Sequence, residues 1–465
     1  MLGVPFAEPV SASRQDTGTV TERAWSLRSR HDRAIATLAF PALGALVADP
    51  VLSLVDTAFV GRIGKEALGA LGVSTAVFGL AFVAFSFLEY ATTTLVAASV
   101  GADDSAKAGR SALAAIVVAV VAGVLVAGAL IAFTEPILGL MGADGVLRSE
   151  AATYIRIRAL AAPAVLVVRA CHGIFRGHQD TRTPLVVTLG INGINLVLDP
   201  LLIFGLGWGV AGAAWATLTA QWVGAAWFGV LLLYRRREQL DLVFSSVALS
   251  EIRPFLTAGR DIVIRTVALL AVFTYATRVA TQIGHPSATV VAAHQVAFQV
   301  WLFLALAVDA LAIAAQALIG HHRGAGDLEQ ARRVADRLVV MGLVGGLALA
   351  GLLFLLSPWL PGWFTPDPEV AAAIDGIYWF LLAGIPLSAV VFVWDGVFLG
   401  AGDFTYLAMA MVGVGVIGVA LLALVIPMGW GLGGVWWAIT VVMAVRLFTL
   451  VWRRADPSGP LRRPA

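Results

Sequence analysis

Asp199 lies where a carboxylate is costly. It falls in an apolar run from Pro184 to Leu206 that holds no other formal charge, four residues after Asn195 and directly before Pro200. Thr188, Asn192, Asn195 and Asp199 are spaced i, i+4, i+7 and i+11, which places them on one stripe of a helix with 3.6 residues per turn. Asp49, Ser53 and Asp56 repeat the spacing i, i+4, i+7 in an earlier apolar run, and Thr217 and Gln221 stand at i, i+4 in a later one. Carboxylates, amides and hydroxyls aligned in this way can bind a proton or a small cation and hydrogen-bond an organic molecule. Ionisable groups inside membrane segments mark such pathways by default. Structural roles compete with this reading. Asp199 can be held by backbone opened at Pro200, Asp49 can belong to a kink at Pro50, Asp56 can contact Arg62, and the two asparagines can join helices.

The elements that carry these residues are membrane spans. The chain has 465 residues, 59% of them hydrophobic and 13% charged. A soluble domain carries about 25% charged residues. Apolar runs long enough to cross a hydrocarbon core of about 30 Å recur throughout. Reading runs and charged breaks predicts twelve helices, at 34–61, 67–100, 109–133, 149–175, 184–206, 209–234, 254–283, 288–319, 334–357, 370–400, 404–427 and 431–452. The alternating strands of a membrane barrel are absent. Of the 31 Lys and Arg, 21 fall in the tails and loops on the N-terminal side, and three (Arg62, Lys65 and Arg148) fall on the other. That bias places both termini in the cytoplasm, with the plasma (inner) membrane as the expected location. The polar, Arg-rich first 32 residues read as a short soluble tail without a cleavable signal.

An internal repeat divides the chain. "GIFRGHQD" (173–180) matches "GVFLGAGD" (396–403) at both glycines and the Asp, 223 residues later. "GWGVAGAAWA" (207–216) matches "GWGLGGVWWA" (429–438) at an offset of 222. Two matches in the same order predict two six-helix lobes. Six spans is an even number, so the lobes are parallel repeats related by a pseudo-two-fold axis along the membrane normal. The expected division is an N-terminal tail (1–32), a first lobe (33–234), a linker (235–252), a second lobe (253–453) and a C-terminal tail (454–465). Two bundles that rock about a central cleft suit a transporter.

The repeat also assigns the chemistry. An offset of 223 puts Asn192 on Gly415, Asn195 on Gly418 and Asp199 on Leu422, so the second lobe lacks the polar stripe. The first lobe is therefore expected to hold a polar cavity built from Asp49, Ser53, Asp56, Thr188, Asn192, Asn195, Asp199, Thr217 and Gln221. Glu89, Asp309 and Asp395 read instead as ion-pair partners for Arg169, Arg278 or Arg446, and His321 and His322 as solvated loop residues. The single Cys171 rules out an internal disulfide. No phosphate-binding loop, HExxH or cysteine cluster is present, so the sequence predicts no metal or organic cofactor and no enzymatic activity. Expected partners are the lipid bilayer and a small organic substrate, not nucleic acid, and the chain is expected to be monomeric.

These segments resemble the multidrug and toxic compound extrusion (MATE) family, in particular its DinF-like branch. The resemblance rests on "VDTAFVGRIG" (55–64), "RGHQDTRTP" (176–184), "NLVLDP" (195–200) and "WDGVFLGAGD" (394–403) and covers about residues 33–453. It implies two six-helix lobes in a V and efflux of amphipathic, often cationic compounds in exchange for protons or sodium. By the same resemblance Asp56, Asn195 and Asp199 carry the coupling ion. Other branches place a Glu in the seventh span for sodium. Here residues 269–284 of that span read "LLAVFTYATRVATQIG", without an acid, which favours protons. A lipid-linked oligosaccharide flippase and an organic-anion exporter are the alternative functions.

Overall fold

The computed structural model describes residues 29–235, 248–284 and 288–462. Most of the N-terminal tail, the middle of the linker and the last three residues lie outside that set. The described residues hold eleven helices long and apolar enough to cross a membrane, and a bent helix pair, Gly145–Ala159 with Ala162–Gly177, that makes a twelfth span. The first lobe contains α1 (Asp32–Gly61), α2 (Lys65–Gly101), α3 (Ser105–Ala132), α4 (Gly145–Ala159 with Ala162–Gly177), α5 (Arg182–Gly205) and α6 (Gly209–Tyr234). The second contains α7 (Leu249–Gly284), α8 (Thr289–Gly324), α9 (Leu328–Leu356), α10 (Pro368–Gly400), α11 (Phe404–Val425) and α12 (Gly431–Ala455).

Two first-lobe spans depart from the simple runs expected. α4 bends by 50° at its break, and α2 is interrupted between Val83 and Phe87. Proline shapes others. α1 continues through Pro41 and Pro50. α5 is α-helical as far as Pro200 and then widens into a π-helical turn over Leu201–Gly205. Proline has no N–H for the carbonyl four residues back, so the ladder must change there.

The motif glycines do the same work in both lobes. A Cβ on Gly173 of α4 would strike Thr92 and the Glu89 carbonyl of α2; a Cβ on Gly396 of α10 would strike the Ala312 carbonyl of α8. Residues 89 and 312 are themselves 223 apart. The repeated glycines therefore let one helix lie directly on another, as small residues do at membrane helix contacts. The repeated Asp is used differently. Asp180 accepts from the backbone N–H groups of Arg182 and Thr183 at 3.0 Å and starts α5. Asp403 accepts from Arg453 Nε at 2.7 Å.

The lobes meet through α2 and α8. Gly101 has no room for a side chain because it abuts the His321 carbonyl, and Gly324 abuts the Ala98 carbonyl in the same way. The two contacts exchange under the 223-residue offset, as a pseudo-two-fold axis requires. Thr94 Oγ1 donates to the Leu399 carbonyl at 2.8 Å, and Gln316 Nε2 donates to the Tyr90 carbonyl at 2.7 Å. Arg337 pairs with Asp32 at 2.7 Å and Arg110 with Glu251 at 2.9 Å. All these ties lie in the half of the spans nearest the N-terminus.

Three expectations are corrected. His321 and His322 belong to the last turn of α8 and are half-buried, because the helix runs on to Gly324. Arg176 is buried at the end of α4 rather than in a loop, where it pairs with Glu89; Arg169 lies 3.9 Å from the same carboxylate. Asp395 is held by Arg446 and by Arg265, the latter at 2.8 Å, so its second partner is one the sequence did not single out. Asp309 has no ion pair among the described residues.

Candidate functional site

α1 and α5 run side by side, and their polar stripes face each other. Thr181 Oγ1, just before α5, donates to the Leu38 carbonyl of α1 at 2.8 Å. Gly44 of α1 gives space to the Leu185 side chain. With that register, Asn195 lies opposite Asp56. Its Nδ2 donates to Asp56 Oδ1 at 3.0 Å and to Asp199 Oδ2 at 3.0 Å. The two acceptor oxygens are thus no more than twice that distance apart. Asn192 Nδ2 makes a longer contact with Asp49 Oδ1, at 3.5 Å.

Burial divides the group. Asn195 is 2% exposed and Asp199 1% exposed. Asn195 Oδ1 and Asp199 Oδ1 are buried without a hydrogen-bond partner among the described residues. Buried polar atoms usually find partners. A carboxyl oxygen left over beside a second carboxyl is a place for a proton.

A cavity of about 260 Å³ opens in front of this pair. Asp49, Ser53 and Asp56 of α1, Asn192 and Asn195 of α5 and Thr217 and Gln221 of α6 line it, and Leu52, Leu71, Ile191 and Ala220 supply apolar walls. Asp199 stands behind Asn195, outside the lining. Thr188 is also outside. It is two turns down α5 and packs into the core, with its hydroxyl 3.3 Å from His172 Nε2. The expected stripe is real as a helix face, but the cavity covers only its middle.

The sequence reading missed Tyr154 and Arg158 of α4, which complete the cavity wall. Arg158 donates to Tyr154 Oη at 3.0 Å, and its guanidinium lies 4.8 Å from the centre of the Phe78 ring. The available signal was an Arg inside an apolar span, four residues after a Tyr. The expected all-acidic lining is therefore mixed in charge.

The second lobe is apolar at the equivalent place. The 223-residue offset carries Asp49 to Val272, Asp56 to Val279, Arg158 to Leu381 and Asp199 to Leu422. All four are buried, with exposures of 0%, 1%, 0% and 0%. Gly418, the counterpart of Asn195, is filled by Val442 and Val272. The cavity is a property of one lobe, not of the repeat.

Two parallel six-helix lobes, the first holding a polar cavity, are the architecture of a membrane transporter. The chain belongs to the MatE family, whose model matches residues 41–201 and again 264–424. The two matches are displaced by the offset of the internal repeat. The chain is 38% identical to "Protein DETOXIFICATION 44, chloroplastic" of Arabidopsis thaliana, over 92% of this chain and 82% of that one. It is 28% identical to "DNA damage-inducible protein F" of Escherichia coli (strain K12), over 92% and 93%. A solved structure described as the outward-facing conformation of a multidrug resistance MATE family transporter of the MOP superfamily superimposes with a TM-score of 0.84, at 22% identity, over 93% of this chain and 97% of that one. The protein is thus a multi-pass membrane transporter of the multidrug and toxin efflux type, a family of transporters rather than enzymes.

Proposed function

We propose that this chain exports small organic compounds, cationic or amphipathic, in exchange for inward protons. The observation that carries the reading is the Asp56–Asn195–Asp199 cluster at the wall of the first-lobe cavity. Two carboxylates this close in a low-dielectric site repel unless a proton or a cation lies between them. A proton entering from the side opposite the N-terminus neutralises one of the two carboxylates. The amide of Asn195 then faces one carboxylate fewer, and the tie between α1 and α5 changes. The π-helical turn after Pro200 and the prolines of α1 give both helices room to respond. A cation bound by Asp49 and Asp56 loses attraction at the same moment and leaves outward. After the lobes switch, the proton is released to the cytoplasm. A monovalent cation exchanged one-for-one with a proton moves no net charge, so the pH difference drives export: one pH unit is worth about 1.4 kcal/mol, roughly tenfold accumulation.

The arrangement of Lys and Arg supports cytoplasmic termini in the plasma (inner) membrane. The ties between the lobes all lie toward that face, which supports an outward-open cleft. Protons are favoured over sodium because α7 carries no acid from Ile262 to its end, and the first-lobe pair suffices for a proton. The test is efflux from proteoliposomes with tetraphenylphosphonium as the probe. An imposed pH gradient without sodium should drive it. Efflux that needs a sodium gradient and ignores pH would contradict proton coupling.

A further inference from the structure

Arg158 is the unexplained charge of the cavity. It projects from the middle of α4, lines the cavity with Asp49 and Asp56, and forms no ion pair among the described residues. Its contacts are the Tyr154 hydroxyl at 3.0 Å and the faces of two rings, Phe78 at 4.8 Å and Tyr154 at 5.7 Å. Among the other arginines within the spans, Arg169 and Arg176 share Glu89 and Arg265 and Arg446 share Asp395, while Arg278 lies 6.0 Å from the Tyr275 ring with no ion pair among the described residues. A guanidinium held in place by a tyrosine and two rings, with its remaining donors turned to a cavity, is arranged to receive an anion. Asp56 lies within its electrostatic reach but not in contact. A ligand can therefore sit between acid and base.

We propose that Arg158 forms an anion subsite in the first-lobe cavity, and that the cavity takes zwitterionic aromatic substrates. The ammonium lies toward Asp49 and Asp56, the carboxylate on Arg158, and the ring against the apolar wall at Leu71 and Ile191. A purely cationic compound leaves Arg158 without a partner, and a purely anionic one meets two carboxylates. The cavity thus discriminates by repulsion as well as attraction. The inference rests on the reading of this cavity as the substrate site.

Three probes share the indole ring and the two-carbon chain and differ in their charged groups: tryptophan, tryptamine and indole-3-propionate. Their binding to the purified full chain is read as the concentration giving half-maximal thermal stabilisation. The expected order is tryptophan first, with both others about tenfold weaker or more. Arg158→Gln should remove the advantage of tryptophan over tryptamine, and Arg158→Lys should restore part of it, which separates a charge requirement from a folding defect. Equal or better binding of tryptamine by the unaltered protein, no stabilisation by any probe, or an unchanged order in Arg158→Gln would overturn the proposal. Proton-driven efflux of tetraphenylphosphonium and of tryptophan by the same unaltered preparation is measured alongside. If either persists while the tryptophan preference is absent, the subsite alone has failed. If the pH gradient moves neither tetraphenylphosphonium nor tryptophan, the transport reading has failed.

Discussion

Asp56 on α1 and Asp199 on α5 accept hydrogen bonds from the same nitrogen, Nδ2 of Asn195, each at 3.0 Å. One amide therefore joins two helices through two acids. Whatever changes the charge of the pair changes the contact between α1 and α5, and no element in between has to relay it.

Replacing the amide should uncouple the helices without removing either acid. Asn195→Leu leaves both carboxylates without this donor, at a cost of about 1–3 kcal/mol. The expected result is a lower melting temperature together with loss of pH-driven efflux. Unaltered efflux would show that the amide is only filling space.

The acids of the two lobes should behave in opposite ways when neutralised. Asp395 balances the buried Arg265 and Arg446. Asp395→Asn leaves buried cations uncompensated and should destabilise by about 3–5 kcal/mol. Asp199→Asn keeps a polar group beside Asn195 and should retain the fold. Thermal melts of both variants in detergent check the contrast.

The lobe contact can be tested at a single methyl group. A Cβ on Gly324 would overlap the Ala98 carbonyl, a backbone atom that cannot turn aside. Gly324→Ala should weaken the contact by about 1–3 kcal/mol and shift the population away from this conformation by roughly 5–150-fold. Spin labels at Asp103 and Gly326, exposed or in turns on the joined face, should report a longer distance. The one native cysteine, Cys171, is buried.

Most of the architecture could be read from the sequence because lipid imposes a simple rule, that each crossing needs a long apolar helix. The repeat glycines were visible as letters, and the structure supplies their reason in the contacts of Gly173 on α2 and Gly396 on α8. The pairing of Asn195 with Asp56 needed the register between α1 and α5, which no local pattern contains. Thr188 was misplaced for the same cause: helical spacing gives the face of a residue, not how far along that face a cavity extends. Arg158 escaped notice because it shares its span with Arg156 and Arg169, and no local pattern marks which of the three lines a cavity. The breaks in α2 and α4 were also hidden, since neither contains a charged interruption.

The pair itself is tested most directly by Asp199→Asn in proteoliposomes with an imposed pH gradient and no sodium, recording tetraphenylphosphonium movement and internal pH together. The account predicts that the unaltered protein exchanges the cation for protons, and that the folded variant moves neither above the rate of empty vesicles. Exchange at the unaltered rate in Asp199→Asn would contradict the assignment of the coupling proton to Asp56 and Asp199.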